Sequence, residues 1–308
     1  MNNNSDNSSN SGFDDETKAR IARMTKRIAE PVEDVPVAPA PDSNEKVGVN
    51  LALWPEDTAA VPTELTRVSL FGLPSDRRGA RPALEDFKLP SRSDITIHYS
   101  GKALSAKDET AYYAALRIGR GQPMGQRIYL NKADLLRENG LTRNGQNWTA
   151  LAARYDRMSK SSLVIDFVRQ GNRIHMTTGL LKWGYQADGQ GVFIRLDPDS
   201  APLFENLAYQ PWEVRLSLKT DIAARLLTYV SGHKQGKPHW ILLDSLREWL
   251  GFGGRLRDFR GGCETALEEL EEKGVLVQGK SKIENSANGL VASWVRTKTE
   301  NPPLIENK

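Results

Sequence analysis

Sulfur and histidine are scarce in this chain of 308 residues, which has one cysteine, Cys263, and four histidines. A single cysteine excludes an internal disulfide framework and a cysteine-based zinc site within one chain. His98, His175, His233 and His239 lack metal-ligand spacing, so no metal or other cofactor is expected. No run approaches the roughly 20 apolar residues that a membrane-spanning helix needs. The opening MNNNSDNSSNSG has neither the basic start nor the apolar core of an export signal. A soluble protein of a reducing cytoplasm, with no membrane partner, is the expectation. Strong net charge is also missing: 42 Lys and Arg face 39 Asp and Glu, a balance of +3. Any anion-binding surface must therefore be a local patch. Gly119, Gly121 and Gly125 lack the spacing of a phosphate loop, and the stretch 232–237 runs into Pro238 where such a loop needs Ser or Thr. Nothing resembles a nucleophile with a base beside it, and no enzyme activity is expected.

What is present suits a globular protein: 39% hydrophobic and 26% charged residues, with length for about two domains plus a tail. Residues 1–65 read as a disordered tail. It starts Asn- and Ser-rich, passes a short amphipathic stretch at 14–30, and becomes Pro-rich from Pro31. Within it Asn50-Leu51-Ala52-Leu53-Trp54 gathers three large apolar residues, the pattern of a docking peptide or of a segment that folds onto the domain body. Folded structure is expected from about Val68, as one domain over 66–208 and a second over 209–300.

Patterning in the body predicts a strand at 95–99, a helix over 106–118 with Ala111, Ala114, Ala115 and Ile118 on one face, and a strand at 127–130 before a helix capped by Asn131. Further strands are expected at 162–167, 173–179 and 191–196, as a long meander of hairpins. A short helix at 202–207 then leads to a strand-like stretch at 213–216. A helix capped by Thr220 covers 221–231, a strand lies at 238–241, and 275–277 with 291–295 make a last hairpin.

Two blocks carry the functional signal. Residues 141–167, LTRNGQNWTALAARYDRMSKSSLVIDF, run from a polar turn through an amphipathic helix to a strand. Residues 250–277, LGFGGRLRDFRGGCETALEELEEKGVLV, repeat that order, and each block follows a short helix. Short helix, turn, basic-tipped helix and strand is the order of a winged helix-turn-helix, whose second helix enters the DNA major groove. The expected fold is therefore α+β, with two tandem winged-helix domains after a disordered tail. In the second block Arg255, Arg257 and Arg260 crowd the start of the helix, while Glu264, Glu268, Glu269, Glu271 and Glu272 crowd its end. This opposes the helix dipole and points to an external anion at the basic end, the plain alternative being a solvated cluster. In the first block Arg143, Asn144, Gln146, Asn147 and Arg154 can read base edges or hold phosphate. Asn147 can equally cap the helix, and Trp148, Leu151 and Tyr155 fit a core.

With those blocks placed, the chain resembles the TrfA family of plasmid replication initiators from about Asn50 to Arg296. ITIHYSGKALSAKDETAYYAAL (95–116) resembles the opening strand and helix of that family's first winged helix. RIYLNKADLLRENG with the first block resembles its helix-turn-helix and wing, and SLKTDIAARLLTYVSGH (217–233) with the 255–272 helix resembles the second unit. The resemblance implies sequence-specific binding to repeated duplex sequences at an origin, called iterons. It also implies opening of an adjacent AT-rich segment to single-stranded DNA, recruitment of the host replicative helicase machinery, and a monomer–dimer equilibrium. It further implies a clamp-binding peptide upstream of the folded region. Asn50, Leu51, Leu53 and Trp54 take that place, with Asn for Gln and Trp for Phe relative to the family's pattern, as a contact to the host β sliding clamp. Val68-Ser69-Leu70-Phe71 also resembles that peptide, but it aligns better with the start of the folded domain and ranks below it. A winged-helix transcriptional regulator and a DNA-nicking enzyme are the alternatives.

Overall fold

A computed structural model describes residues 49–72, 81–186 and 191–298 of the protein, and the expected features of 1–48 lie outside them. Strand β4 (Ile128–Asn131) runs straight into helix α2 (Lys132–Glu138). Asn131 starts that helix by accepting the Asp134 N–H at 2.8 Å. Gly140, at φ +65°, ends it in the left-handed region that glycine enters without strain. Helix α3 (Gly145–Ser159) follows, and the hairpin β7 (Leu181–Tyr185) with β8 (Gly191–Leu196) closes antiparallel on β4, in the order β4-β8-β7.

The same construction occurs a second time. Strand β10 (Pro238–Leu242) runs into an equally short helix, α6 (Leu243–Trp249). Gly251, at φ +74°, ends that helix at the equivalent place. After a turn of the same length comes α7 (Leu256–Glu272), and β11 (Lys282–Ser286) with β12 (Gly289–Val295) closes on β10 in the order β10-β12-β11.

One difference hides this repeat. Between α3 and β7 the chain builds β5 (Ser162–Arg169) and β6 (Asn172–Thr178), which join β2 (Ala83–Lys88) and β3 (Ile95–Lys102) in a separate sheet ordered β2-β3-β5-β6. Ile95, Ile97 and Tyr99 of β3 and Leu163, Ile165 and Phe167 of β5 alternate inward, so this sheet has its own buried face. The expected meander at 162–196 is therefore an inserted hairpin, β5–β6, followed by the closing hairpin, β7–β8.

Three further expectations are corrected. Residues 213–216 lie in helix α4 (Trp212–Ser217), because Trp212 and Arg215, three apart, are the buried positions. Residues 275–277 make only one rung, Leu276 to Arg296, beyond the end of β12. The body also begins well before Val68. Leu51 and Trp54 are each 1% exposed in the first core. Strand β1 (Thr58–Pro62) pairs antiparallel with β9 (Leu207–Pro211), and Ser69–Phe71 is a buried 3-10 turn. The described part of the expected tail is thus folded, because its apolar residues find partners some 150 positions away, beyond the reach of local patterning.

Two apolar cores result. One extends from Leu51 to Trp212 around α1 (Ala106–Ile118) and contains Tyr112, Tyr113, Tyr155 and Ile165. The other packs α5 (Asp221–Ser231), α6 and α7 around Leu226, Phe259, Leu267 and Trp294. Ala106 of α1 meets Ala224 of α5 where the cores adjoin. Next to that contact Glu109, Arg215 and Arg225 form an ion triad with fully buried side chains. Arg215 Nη2 donates to Glu109 Oε2 at 2.7 Å, Arg225 Nη1 donates to Glu109 Oε1, and the Tyr113 hydroxyl donates to Glu109 Oε1 at 3.0 Å. Arg215 also reaches the Ala106 and Ala224 carbonyls, and Arg225 reaches the Val68 carbonyl. Among the described residues no helix is long and apolar enough to cross a membrane.

Candidate nucleic-acid interface

Helices α3 and α7 each present one face to the core and one to solvent. On α3, Leu151, Tyr155 and Met158 are buried, and the Tyr155 hydroxyl donates to the Ala111 carbonyl at 3.1 Å. Trp148 is half-buried and meets Trp183 and Tyr185 of β7 edge-on, at centroid distances of 6.2 and 6.1 Å. The opposite face, Gln146, Thr149, Ala150 and Ala153, is exposed. Asn144 caps the helix by accepting the Asn147 N–H at 2.7 Å and donates to the Thr142 hydroxyl at 3.2 Å. The Asn147 amide donates to the Thr142 carbonyl and hydroxyl, both at 2.9 Å. Both asparagine amides thus hold the turn, and Arg143, Asn144 and Gln146 are exposed at the helix tip. Arg154 is half-buried on the flank, and burial pushes its guanidinium below the ordinary pKa while Asp108 opposes the shift.

On α7, Phe259, Cys263, Ala266, Leu267 and Leu270 face inward. Burial raises the Cys263 thiol to about 12, so it stays protonated and unreactive. Arg255 is the residue before the first helical turn, and its exposed side chain makes no capping bond. Arg257 is exposed, with Asp258 at 3.8 Å, and Arg260 pairs with Glu264 one turn on at 2.8 Å. Between them Gly261 faces open space: a Cβ built there would meet nothing within 4 Å.

The acidic end of α7 has a different use. Glu269 accepts the Lys219 N–H at 2.9 Å. Glu271 accepts the N–H groups of Gly279, Lys280 and Ser281 at 2.7, 3.0 and 2.7 Å, fixing the chain that enters β11. Burial works to raise the Glu271 pKa, yet these hydrogen bonds hold it below the usual carboxylate range. The sorted charges of this helix therefore divide into a basic start whose ion pairs lie within the helix and an acidic end partly spent on loops. Sequence reasoning missed that division, since acceptors of backbone N–H groups carry no spacing signal. It also missed Asp108, although Ser105-x-x-Asp108 is a capping-box spacing.

Among the described residues no group of three His, Cys, Asp or Glu could hold a metal ion. The four residues expected to meet a sliding clamp are split by the fold. Asn50 is exposed and Leu53 half-buried, whereas Leu51 and Trp54 are in the core. The Leu51 N–H donates to the Gln122 carbonyl at 3.0 Å, and Arg120 Nη1 donates to the Trp54 carbonyl at 2.8 Å. Leu70 and Phe71, in the other stretch that resembles the clamp peptide, are buried too.

The family model for the TrfA protein matches residues 45–282. The chain belongs to the TrfA family. That membership makes it a replication initiator. Among solved structures, a crystal structure of selenomethionine derivatives of domains 2 and 3 of RctB is similar, with a TM-score of 0.50 at 14% identity, covering 78% of this chain and 99% of that one. A second structure of RctB domains 2–3 gives 0.48 at 11%, covering 77% and 97%. The WH1 domain of MSBI1.176, a replication protein isolated from a multiple sclerosis patient, gives 0.25 at 18%, covering 32% and 79%. At 14% identity the first likeness is one of fold. No curated protein sequence matches the chain.

Proposed function

We propose that this family member initiates plasmid replication by binding repeated duplex sequences at the origin through two tandem winged helices. In this reading α3 and α7 lie in successive major grooves. The observation that carries it is the repeated construction: strand, seven-residue helix, glycine-ended turn of equal length, longer helix, and a hairpin closing on the first strand. Among the described residues, both longer helices have an exposed face: Gln146, Thr149, Ala150 and Ala153 in the first copy, Arg257, Gly261, Thr265 and Glu268 in the second. Arg143 and Gln146 of the first copy and Arg255, Arg257 and Arg260 of the second supply donors for base edges and phosphates. Opening of the neighbouring duplex, single-strand contact, helicase recruitment and a monomer–dimer equilibrium belong to the same proposal. A clamp contact through Asn50, Leu51, Leu53 and Trp54 would need the segment to leave the core first.

Footprinting of one chain on its origin repeat tests the reading. Protection of two successive major grooves on one face is the expected result, since two such modules together bury more surface than the roughly 600–1,000 Å² of one. Protection of a single groove per chain overturns the tandem arrangement. Promoter binding without origin activity would make the protein a regulator.

A further inference from the structure

One flank of α3 carries more positive charge than its buried partner neutralises. Asp108, the third residue of α1, is fully buried. Its Oδ2 accepts the Ser105 N–H at 2.8 Å, the Ser105 hydroxyl at 2.7 Å and Arg81 Nη1 at 3.0 Å. Its Oδ1 accepts Arg157 Nη2 at 2.6 Å and Nε at 3.2 Å. Arg81 is further tied to the Ala103 carbonyl and the Ser105 hydroxyl. Arg154 stands three residues before Arg157, acts electrostatically on the same carboxylate, and has no hydrogen bond or ion pair among the described residues. Two guanidiniums thus grip one carboxylate while a third acts on it from the same flank of α3, and Asp221 is the other acidic group that acts on Arg81.

The location gives this surplus a use. Residue 157 continues the helical row of Gln146, Thr149, Ala150 and Ala153, the exposed face of α3. The two alanines leave nothing long to hold a duplex away. The side chains of Arg81 and Arg157 are 22% and 17% exposed, so each is partly open to solvent while Asp108 fixes its guanidinium. A fixed guanidinium meets an anion without first losing rotamer freedom, and its planar fork fits phosphate.

We propose that Arg81, Arg154 and Arg157 form a phosphate-binding site that grips the DNA backbone beside the groove α3 enters, with Asp108 as the residue that orients two of them. The inference rests on duplex binding by α3. The site is blind to sequence: it sets register and salt dependence, while the tip of α3 reads bases.

The test is a titration of the full chain on origin duplex and on unrelated duplex between about 50 and 200 mM salt, the range over which counterion release is read. Arg154→Gln should weaken binding about tenfold on both duplexes and lower the salt slope by about one. Its melting temperature should change little, because the side chain makes no hydrogen bond or ion pair among the described residues. Arg81→Gln and Arg157→Gln should lower the slope likewise and melt earlier, each removing hydrogen bonds that Asp108 accepts. An unchanged slope in Arg154→Gln overturns the site, as does a loss confined to origin sequence, which would make Arg154 a base reader. If the wild-type chain binds no duplex, the proposed function falls with it. If Arg257→Ala weakens binding and Arg154→Gln does not, only this site falls.

Discussion

Gly261 lies within a seventeen-residue helix, where glycine costs roughly 1 kcal/mol relative to alanine. Its neighbour Gly262 is confined, since a Cβ there would come within 2.5 Å of the Ile222 side chain. Gly261 has no such neighbour, so packing gives no reason for it. A helix face pressed against a duplex does give one, because the missing Cβ lets the backbone approach. Gly261→Ala should therefore raise stability by up to about 1 kcal/mol and weaken duplex binding. A denaturant melt beside a gel-shift titration checks both signs. Stronger or equal binding in the stabilised variant would move the duplex off this face. Arg255→Ala, Arg257→Ala and Arg260→Ala should each lose roughly 1–3 kcal/mol of specific affinity wherever the side chain grips a base, with little change in melting. The second core holds a different kind of residue. His233 and His239 are in contact at a ring-centroid distance of 3.7 Å, against Tyr229 and Trp294. Burial, then His239, then Arg67 lower His233 to about 2, and burial followed by Arg67 lowers His239 to about 4. Both folded values lie below the unfolded one, so the unfolded chain takes up protons first. The stability they contribute is present above about pH 6.5 and is lost as pH falls, at up to roughly 1.4 kcal/mol per pH unit for each histidine. Between about pH 6 and 4, His233→Phe should flatten the stability–pH curve by one histidine's share. An unaltered slope in urea melts would mean that His233 is protonated in the fold.

At the scale of elements, the segment from Val49 to Pro62 shows what local patterning can and cannot reveal. Helices 106–118 and 221–231 were legible to the residue, because a cap, a periodic apolar face and a glycine end are all local signals. Strand β1 was not legible: TAAVP sits in Pro-rich, polar surroundings, and its partner β9 is far along the chain. Helix α4 was hidden for a related reason. Arg215 belongs to its inward face, and a charged residue reads as outward until its buried partner Glu109 is known. The longer helices of the two repeated units were legible as a pair. The inserted β5–β6 hairpin, which displaces the first closing hairpin, was not. The candidate site followed the same pattern. The exposed arginines of α7 were visible as charge, whereas the Asp108 cluster needed three elements brought together. Trp54 gives the prediction at this scale. Its side chain is enclosed by the first core, so Trp54→Ala should destabilise the protein by roughly 3–5 kcal/mol, and Leu53→Ala by less, because Leu53 is only half-buried. Thermal melts of the two variants check this. An unchanged melting temperature in Trp54→Ala would instead mean that the segment leaves the core readily, as a clamp-binding peptide must.

For the whole molecule the deciding feature is the ion triad where the two cores adjoin. Glu109 comes from α1 of the first core, and Arg225 from α5 of the second. Arg215 lies on α4 between them and ties itself to carbonyls on both α1 and α5. Removing one member of such a triad leaves charge buried without a partner, so Glu109→Gln should cost about 3–5 kcal/mol. Replacing all three residues by Met removes the charges together and should leave stability near that of the wild type. The triad also bears on DNA. If, as proposed, both units read DNA, units fixed to one another could not adjust the interval between the grooves they enter. On the proposed reading, the chain should tolerate base changes between its two contact sites but not a change in their separation. Inserting about five base pairs, half a helical turn, would turn the second groove to the far side of the duplex. Affinity should then fall to that of one unit, with a shallower salt slope. The all-Met variant adds a further arm. If ion pairing in particular holds the angle, that variant should fold as well as the wild type yet lose less affinity on the lengthened site. If it discriminates as sharply as the wild type, the Ala106–Ala224 contact and its apolar surroundings fix the geometry alone. A wild-type chain that binds both spacings equally would show that its two units read DNA independently.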